Sequence, residues 1–376
     1  MAIGALNGAQ AVGGVLGAWP AARLARSYSR RAAILLGGVV TAAGLIGILA
    51  FDPLALQLAS AVALGGGGIV VFASGSALLA DATSTGDRPR RFGQQIALGT
   101  IAGFLSSFIA GQLADPVGAV LGAASGSLLV VRTLVGTGGV IAAASALPIL
   151  LVGAIPVPRG GLGAPIARGL LVRFAALEAI FGFGAGSFLP FVNLFFADRF
   201  GLTFGGIGLA LGAIAVGGSL GALLHGRALA RRMGQLGAVV TVQLLSLPFA
   251  LVAGIASGPL AVAALLAVRA ALMYGSASTW RAFQLSSFRP AERAGATALL
   301  AIANSATGAI GSVLSGTVRA ALGDAGWTAN IATLAGAYLV AISLSAVFFH
   351  AHHPSGDVAP STIADAAVTP VPHSLA

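Results

Sequence analysis

The stretch AVGGVLGAWPAARLARSYSRR, residues 11–31, returns in the second half of the chain as AVGGSLGALLHGRALARRMG, residues 215–234. In each copy a Gly-rich apolar segment stops at a cluster of arginines. The first eight positions align at an offset of 204, and Arg23 then falls on Arg227. Farther along the register holds at 205. Asp87-Arg88 falls on Glu292-Arg293, Gly103 on Gly308, Gly111 on Gly316 and Gly118 on Gly323. A single slipped residue over half the chain implies two tandem copies of one structural unit, in the same order and orientation.

Composition sets the class. Charged residues are 8% of the chain, apolar residues 57%, and the mean hydropathy is +0.97. A soluble domain carries about a quarter of its residues charged, so the chain reads as a polytopic, all-α membrane protein. All 20 basic residues are arginine. The pI near 11.6 does not indicate nucleic acid, because basic patches with interleaved aromatics are absent. The arginines sit in short clusters between apolar runs, as cytoplasmic loops do. With no cysteine, a disulfide, a thiolate metal site and a cysteine nucleophile are excluded. Residues 1–22 lack the basic start of a signal peptide, and their apolar run is long enough to span.

A spanning helix needs about 20 mostly apolar residues. That rule predicts eleven, near 2–22, 32–51, 54–79, 92–114, 129–155, 169–196, 204–226, 235–255, 258–280, 295–320 and 328–350. Breakers stand in the turns at Asp52-Pro53, Asp115-Pro116, Gly201 and Gly258-Pro259. Residues 1–155 form a first bundle, 156–168 (PVPRGGLGAPIAR) a linker, and 169–350 a second bundle of six helices. Residues 351–376 turn polar and Pro-rich, as a disordered tail does.

Alternate loops hold Arg23/Arg26/Arg30/Arg31, then Arg88/Arg90/Arg91, Arg159/Arg168/Arg173, Arg227/Arg231/Arg232 and Arg281/Arg289/Arg293. The opposite loops carry Asp52, Asp115, Asp198 and Asp324, with Arg132, Arg199 and Arg319 as exceptions. By the positive-inside rule the arginine-rich side and the C-terminus are cytoplasmic, and Met1 lies outside. The second copy opens with a helix at 169–196 whose counterpart would fall before residue 1. The first bundle is therefore expected to have five helices and to lack its opening one, through an upstream start or a shortened protein.

This pattern, over roughly residues 1–350, resembles the major facilitator superfamily of secondary transporters. That family has two six-helix halves with both termini cytoplasmic. Its signature after the second helix, Gly-x-x-x-Asp-Arg-x-Gly-Arg-Arg, is matched by Ala22 through Arg31, where the closing pair Arg30-Arg31 stands. Arg26 replaces the acid and Ser29 the glycine. The second copy keeps Arg232 and Gly234 but puts Arg231 where the acid belongs. In the family that acid serves a cytoplasmic latch, a role that the resemblance offers to Asp81 instead. The Asp87-Arg88 and Glu292-Arg293 turns look like the family's acidic-Arg loops. Residues 182–203, GFGAGSFLPFVNLFFADRFGLT, resemble the seventh helix of its bacterial permeases.

Polar groups inside a membrane are costly and face the protein interior or a cavity, which makes them functional candidates. Glu178 is the only carboxylate well inside an apolar helix. Asn193, fifteen residues on, falls within about 60° of the same helical face, with Gly182 and Gly186 between. Glu178 is either a proton- or cation-sensing group beside a substrate path, or a structural partner for a loop arginine while the glycines pack a neighbouring helix. Arg269 lies near mid-membrane and either binds an anionic group or pairs with an acid during coupling, or forms a structural ion pair. Its repeat position is Leu64. Asn304 either donates to substrate or joins two helices. Glycines four apart (Gly13/Gly17, Gly99/Gly103, Gly208/Gly212, Gly217/Gly221) allow close helix approach. Pro190 predicts a kink, and Trp19 and Trp280 read as interfacial anchors. His350, His352 and His353 lack an acid or cysteine nearby to make a metal site. Gly65–Gly68 lies in a span with no Lys-Ser/Thr, so it is not a phosphate loop.

The expected function is alternating-access movement of a small-molecule substrate across the plasma (inner) membrane, by one monomeric chain within the lipid bilayer. No ATP-binding motif or cofactor site appears, so an ion gradient, with protons as the candidate, or the solute's own gradient would drive it. The apolar lining favours efflux over sugar uptake. A nutrient permease and a non-transporting scaffold are the alternatives. A membrane enzyme is disfavoured because no catalytic cluster is visible.

Overall fold

The computed structural model describes residues 2–27, 30–81, 88–151, 167–224, 228–288 and 293–350. In lipid the backbone must satisfy its own hydrogen bonds, so apolar runs of this length become helices. They are α1 (Ala2–Ser27), α2 (Arg30–Ala50), α3 (Leu54–Asp81), α4 (Arg88–Leu121), α5 (Leu128–Ala144), α6 (Arg168–Phe188), α7 (Val192–Phe200), α8 (Phe204–Leu224), α9 (Ala228–Ile255), α10 (Pro259–Ser287), α11 (Arg293–Leu322) and α12 (Ala325–Phe349). Ten spans among the described residues are long and apolar enough to cross a membrane, α6 and α7 together making one. The eleventh expected span, α1, is 26 residues long but is not among the ten; Asn7 and Gln10 interrupt its apolar run.

Most boundaries follow the local chemistry. Gly258 and Pro259 open α10, with Pro at the first helical position, where its missing N–H costs nothing. Gly201, at φ 62°, closes α7 in the left-handed conformation that glycine tolerates. Pro190 breaks its span into α6, a 3-10 turn at Leu189–Phe191 and α7. One expectation fails. Asp115-Pro116 is no turn, because α4 runs through Pro116 to Leu121 and the chain reverses only at Gly122, φ 63°. The span predicted over 129–155 is present as Leu128–Leu151, long and apolar enough to cross a membrane, its α-helix ending at Ala144 and a 3-10 turn following at Leu147–Leu151.

In the first bundle α1 and α2 pack on α3, and α5 on α2; in the second, α8 and α9 pack on α10, and α6 lies against α11 and α12. Among the described residues, two extensive contacts join the bundles, α1 with α11 and α4 with α8. The sequence repeat carries α1 onto α8 and α4 onto α11, so these two contacts interchange under the pseudo-twofold. Repeated glycines do the same job in both copies. A Cβ at Gly13 would strike the carbonyl of Val62 on α3, and one at Gly217 the carbonyl of Ala267 on α10.

The symmetry fails at one face. On α11 the residues Asn304, Thr307, Gly308 and Gly311 lie under α6. Their repeat positions on α4 are Gly99, Ala102, Gly103 and Ser106, and all four are exposed. Burial follows the same division. The second bundle has a continuous core built on Phe174, Phe188, Phe195, Phe283, Trp327 and Phe349, whereas α5 buries only Val130 and Gly139.

The arginines on the acid-bearing side are all tied down. Arg132 pairs with Asp52 at 2.8 Å, and Arg319 with Asp198 at 3.1 Å and Asp324 at 3.2 Å. Arg199 donates to the carbonyls of Gly254 and Ala256 at 2.6 and 3.2 Å. Local partners thus account for each exception to the charge pattern.

Candidate functional site

The site grows from α6. Glu178 lies ten residues beyond Arg168, about 15 Å along the helix axis. Its carboxylate takes hydrogen bonds from two other helices. On α10, Trp280 Nε1 and Gln284 Nε2 donate to Oε1 at 3.1 and 2.6 Å. On α11, Asn304 Nδ2 donates to Oε2 at 3.0 Å and to the Glu178 backbone carbonyl at 3.2 Å. All the donors are uncharged, so the expected loop-arginine partner is replaced by amides and an indole. Trp280 is correspondingly not an interfacial anchor: it is buried and stacks on Phe283, with ring centroids 5.9 Å apart. The Trp19 side chain lies outside the described residues.

Glycines bring the helices close enough for these bonds. A Cβ at Gly182 would collide with the carbonyl of Asn304, and one at Gly186 with that of Gly308. Ser312 Oγ then reaches the Gly186 carbonyl at 3.1 Å. The glycines thus pack a neighbouring helix, as expected, and that packing places Asn304 on the carboxylate.

Asn193 does not join the cluster. The 3-10 turn at Leu189–Phe191 resets the helical register, and Asn193 is exposed on α7. Periodicity counted through Pro190 put it on the wrong face.

A cavity of about 480 Å³ opens between the bundles at the level of Gly182–Pro190. From the first bundle Asn7 and Gln10 on α1 and Leu64, Ile69 and Phe72 on α3 line it; from the second come Leu189, Pro190, Asn304, Ser305 and Ser312. Asn304 thus belongs to both the cavity wall and the Glu178 cluster. Arg269 does not line the cavity. It is 6% exposed, and its guanidinium lies 5.3 Å from the centroid of the Tyr338 ring. Its Nε and Nη2 are buried without a hydrogen-bond partner among the described residues, so no ion pair holds it here. Tyr338 packs edge-on to Phe181, with centroids 5.1 Å apart, which links Arg269 through one ring to the turn after Glu178.

Of the arginine-rich loops, Arg30 and Arg31 begin α2 and Arg232 is exposed on α9. Arg23, Arg26, Asp81 and Arg231 stand on helices, but their side chains lie outside the described residues, as does the whole of Arg227. The linker over 152–166 and the tail over 351–376 lie outside them too. Sequence reasoning missed Asn7, Gln10, Trp280 and Gln284. For α1 a signal was there, since Asn7 and Gln10 are the only amides in its apolar run and are spaced i, i+3, on one helical face.

No sequence-family model and no curated relative matches the chain. Solved structures do. The nucleoside transporter NupG superposes with a TM-score of 0.67 at 17% identity, covering 93% of this chain and 90% of that one. A bacterial homologue of the human lysosomal transporter Spinster, inward-facing and occupied, gives 0.67 at 14% identity, covering 92% and 94%. The E. coli fucose:proton symporter FucP gives 0.65 at 15% identity, covering 92% and 90%. With its tandem repeat, its two symmetry-related inter-bundle contacts and a cavity between the bundles, the chain has the fold of the major facilitator superfamily transporters.

Proposed function

We propose that the chain is a secondary transporter that exports a small, largely apolar solute by alternating access, with Glu178 as its proton-coupling group. The observation that supports this is the double position of Asn304, one amide serving both the cavity wall and the carboxylate. A proton placed on Oε2 of Glu178 would face the Asn304 N–H. That bond must then open, and the freed amide turns to the solute. Conversely, a solute that draws Asn304 away exposes an oxygen to take up a proton. The two ligands are thus linked through one side chain, as reciprocal coupling requires. Rocking occurs at the α1–α11 and α4–α8 contacts. The arginine clusters, including Arg23, Arg26, Arg30, Arg31, Arg227, Arg231 and Arg232, form the cytoplasmic gate, with Asp81 as its acid. We place the chain in the plasma membrane as a monomer, with its C-terminus cytoplasmic and the boundary between its halves in 156–168.

The test uses proteoliposomes loaded with a panel of radiolabelled small solutes, with and without an imposed pH gradient. For the solute that the unaltered chain moves, Glu178→Gln should keep exchange down the solute's own gradient and lose the acceleration by the pH gradient. Gln keeps the size of Glu and one acceptor oxygen, so packing is preserved. Unchanged pH dependence would remove Glu178 from the coupling step.

A further inference from the structure

The cavity also states what kind of solute it takes, an inference that rests on reading it as the transport site. Among the described residues no charged side chain lines it. The two buried-region charges are held off its wall: both oxygens of Glu178 are occupied by Trp280, Gln284 and Asn304, and Arg269 lies under Tyr338. A formal charge on the solute would give up part of its hydration to a wall that offers no counter-ion, which disfavours charged solutes. The unspent hydrogen-bond capacity is neutral and two-sided. The amides of Asn7 and Gln10 on α1 have no hydrogen-bond partner among the described residues, so each offers a carbonyl and an NH₂ to the cavity. On α11, Asn304 has spent its NH₂ on Glu178 and Ser312 its hydroxyl proton on Gly186, while Ser305 keeps its hydroxyl, so that wall presents acceptor oxygens and one O–H donor. Between the polar walls Leu64, Ile69, Phe72 and Leu189 supply an apolar floor.

We infer that this cavity binds an uncharged amphiphile, with an apolar body against α3 and a carboxamide or hydroxyl group bridging the α1 amides to the Asn304–Ser312 wall. A solute of this class donates mainly toward α11, where Ser305 alone can donate back, and both donates and accepts toward α1. Carboxylates and ammonium ions of the same shape are rejected.

The test is equilibrium binding to the full chain in detergent, without any gradient, using phenylbutyramide, phenylbutyrate and phenylbutylamine as probes with one body and three charge states. The amide should bind, and the anion and cation should bind at least about tenfold more weakly. Gln10→Leu, which keeps the apolar volume and removes the amide, should weaken phenylbutyramide about tenfold while the chain's melting temperature without ligand stays unchanged. Asn7→Leu provides an independent second variant. The inference is overturned if phenylbutyrate or phenylbutylamine binds as well as the amide, if both variants bind the amide like the unaltered chain, or if no probe binds up to its solubility. Failure of the transport reading looks different: the amide then binds with the stated preference, and no flux accompanies it.

Discussion

Gly186→Ala is expected to destabilise the chain, while Gly103→Ala on the repeat-related surface is expected to stabilise it slightly. At Gly186 an added methyl would strike the carbonyl of Gly308 and stand 2.8 Å from its Cα. Both are backbone atoms that can yield only if α6 and α11 separate. Overpacking of this kind costs about 1–3 kcal/mol for a small residue. Here separation would also pull Asn304 away from Glu178. At Gly103 a Cβ meets nothing within 4 Å, so the helix preference for alanine over glycine, about 1 kcal/mol, acts unopposed. Enlarging the side chains widens the contrast. Gly186→Leu should lower the folded yield from membranes by about tenfold, since losses of a few kcal/mol pass directly into abundance, whereas Gly103→Leu should leave it unchanged. Thermal unfolding of the purified variants in detergent, followed by size-exclusion recovery, reads both. Equal tolerance at the two positions would mean that α6 is not seated on α11 as described. Equal damage would mean that another helix covers the α4 face.

Arg269→Met is expected to abolish flux and leave folding intact. An arginine kept for packing alone would have its donors satisfied, because each buried unpartnered donor costs about 1–3 kcal/mol. Arg269 has two, and what favours it here is Tyr338, whose ring and hydroxyl both interact with the guanidinium, the ring contact being worth about 2 kcal/mol when desolvated. Replacing such a residue by an apolar one of similar length is commonly neutral or stabilising. A role in flux would require a second conformation in which the guanidinium finds a partner, and the edge-on Tyr338–Phe181 contact joins it to the Glu178 turn. Arg269→Met and Arg269→Ala should both reach the membrane at normal levels and carry no solute. Loss of accumulation in both variants would assign Arg269 to structure instead.

The division of labour at Glu178 shows how much of this site a sequence can disclose. That an acid at position 178 is isolated in an apolar span is a one-dimensional fact, visible in the order of residues. That its partners are Trp280, Gln284 and Asn304 is not, because they lie 102, 106 and 126 positions away, on helices whose rotation about their own axes hydropathy does not report. The same limit explains Trp280, whose place near a helix end suggested an interface although its indole turns inward. Asn193 failed for a different reason, since Pro190 changes the local helix type and a uniform 100° step per residue no longer applies.

By itself the sequence determined the class, the helical architecture and the duplication. Membrane insertion depends on the summed hydropathy of about 20 consecutive residues, and a tandem repeat is a property of order; neither needs three dimensions. The tertiary structure alone decided which glycines are packed and which are bare, that Asn304 lies between cavity and carboxylate, and that Asn7 and Gln10 line the same cavity as Asn304 and Ser312. Those results depend on distances of a few ångströms between helices far apart in the chain, where hydrogen bonds and van der Waals contacts act and sequence spacing does not.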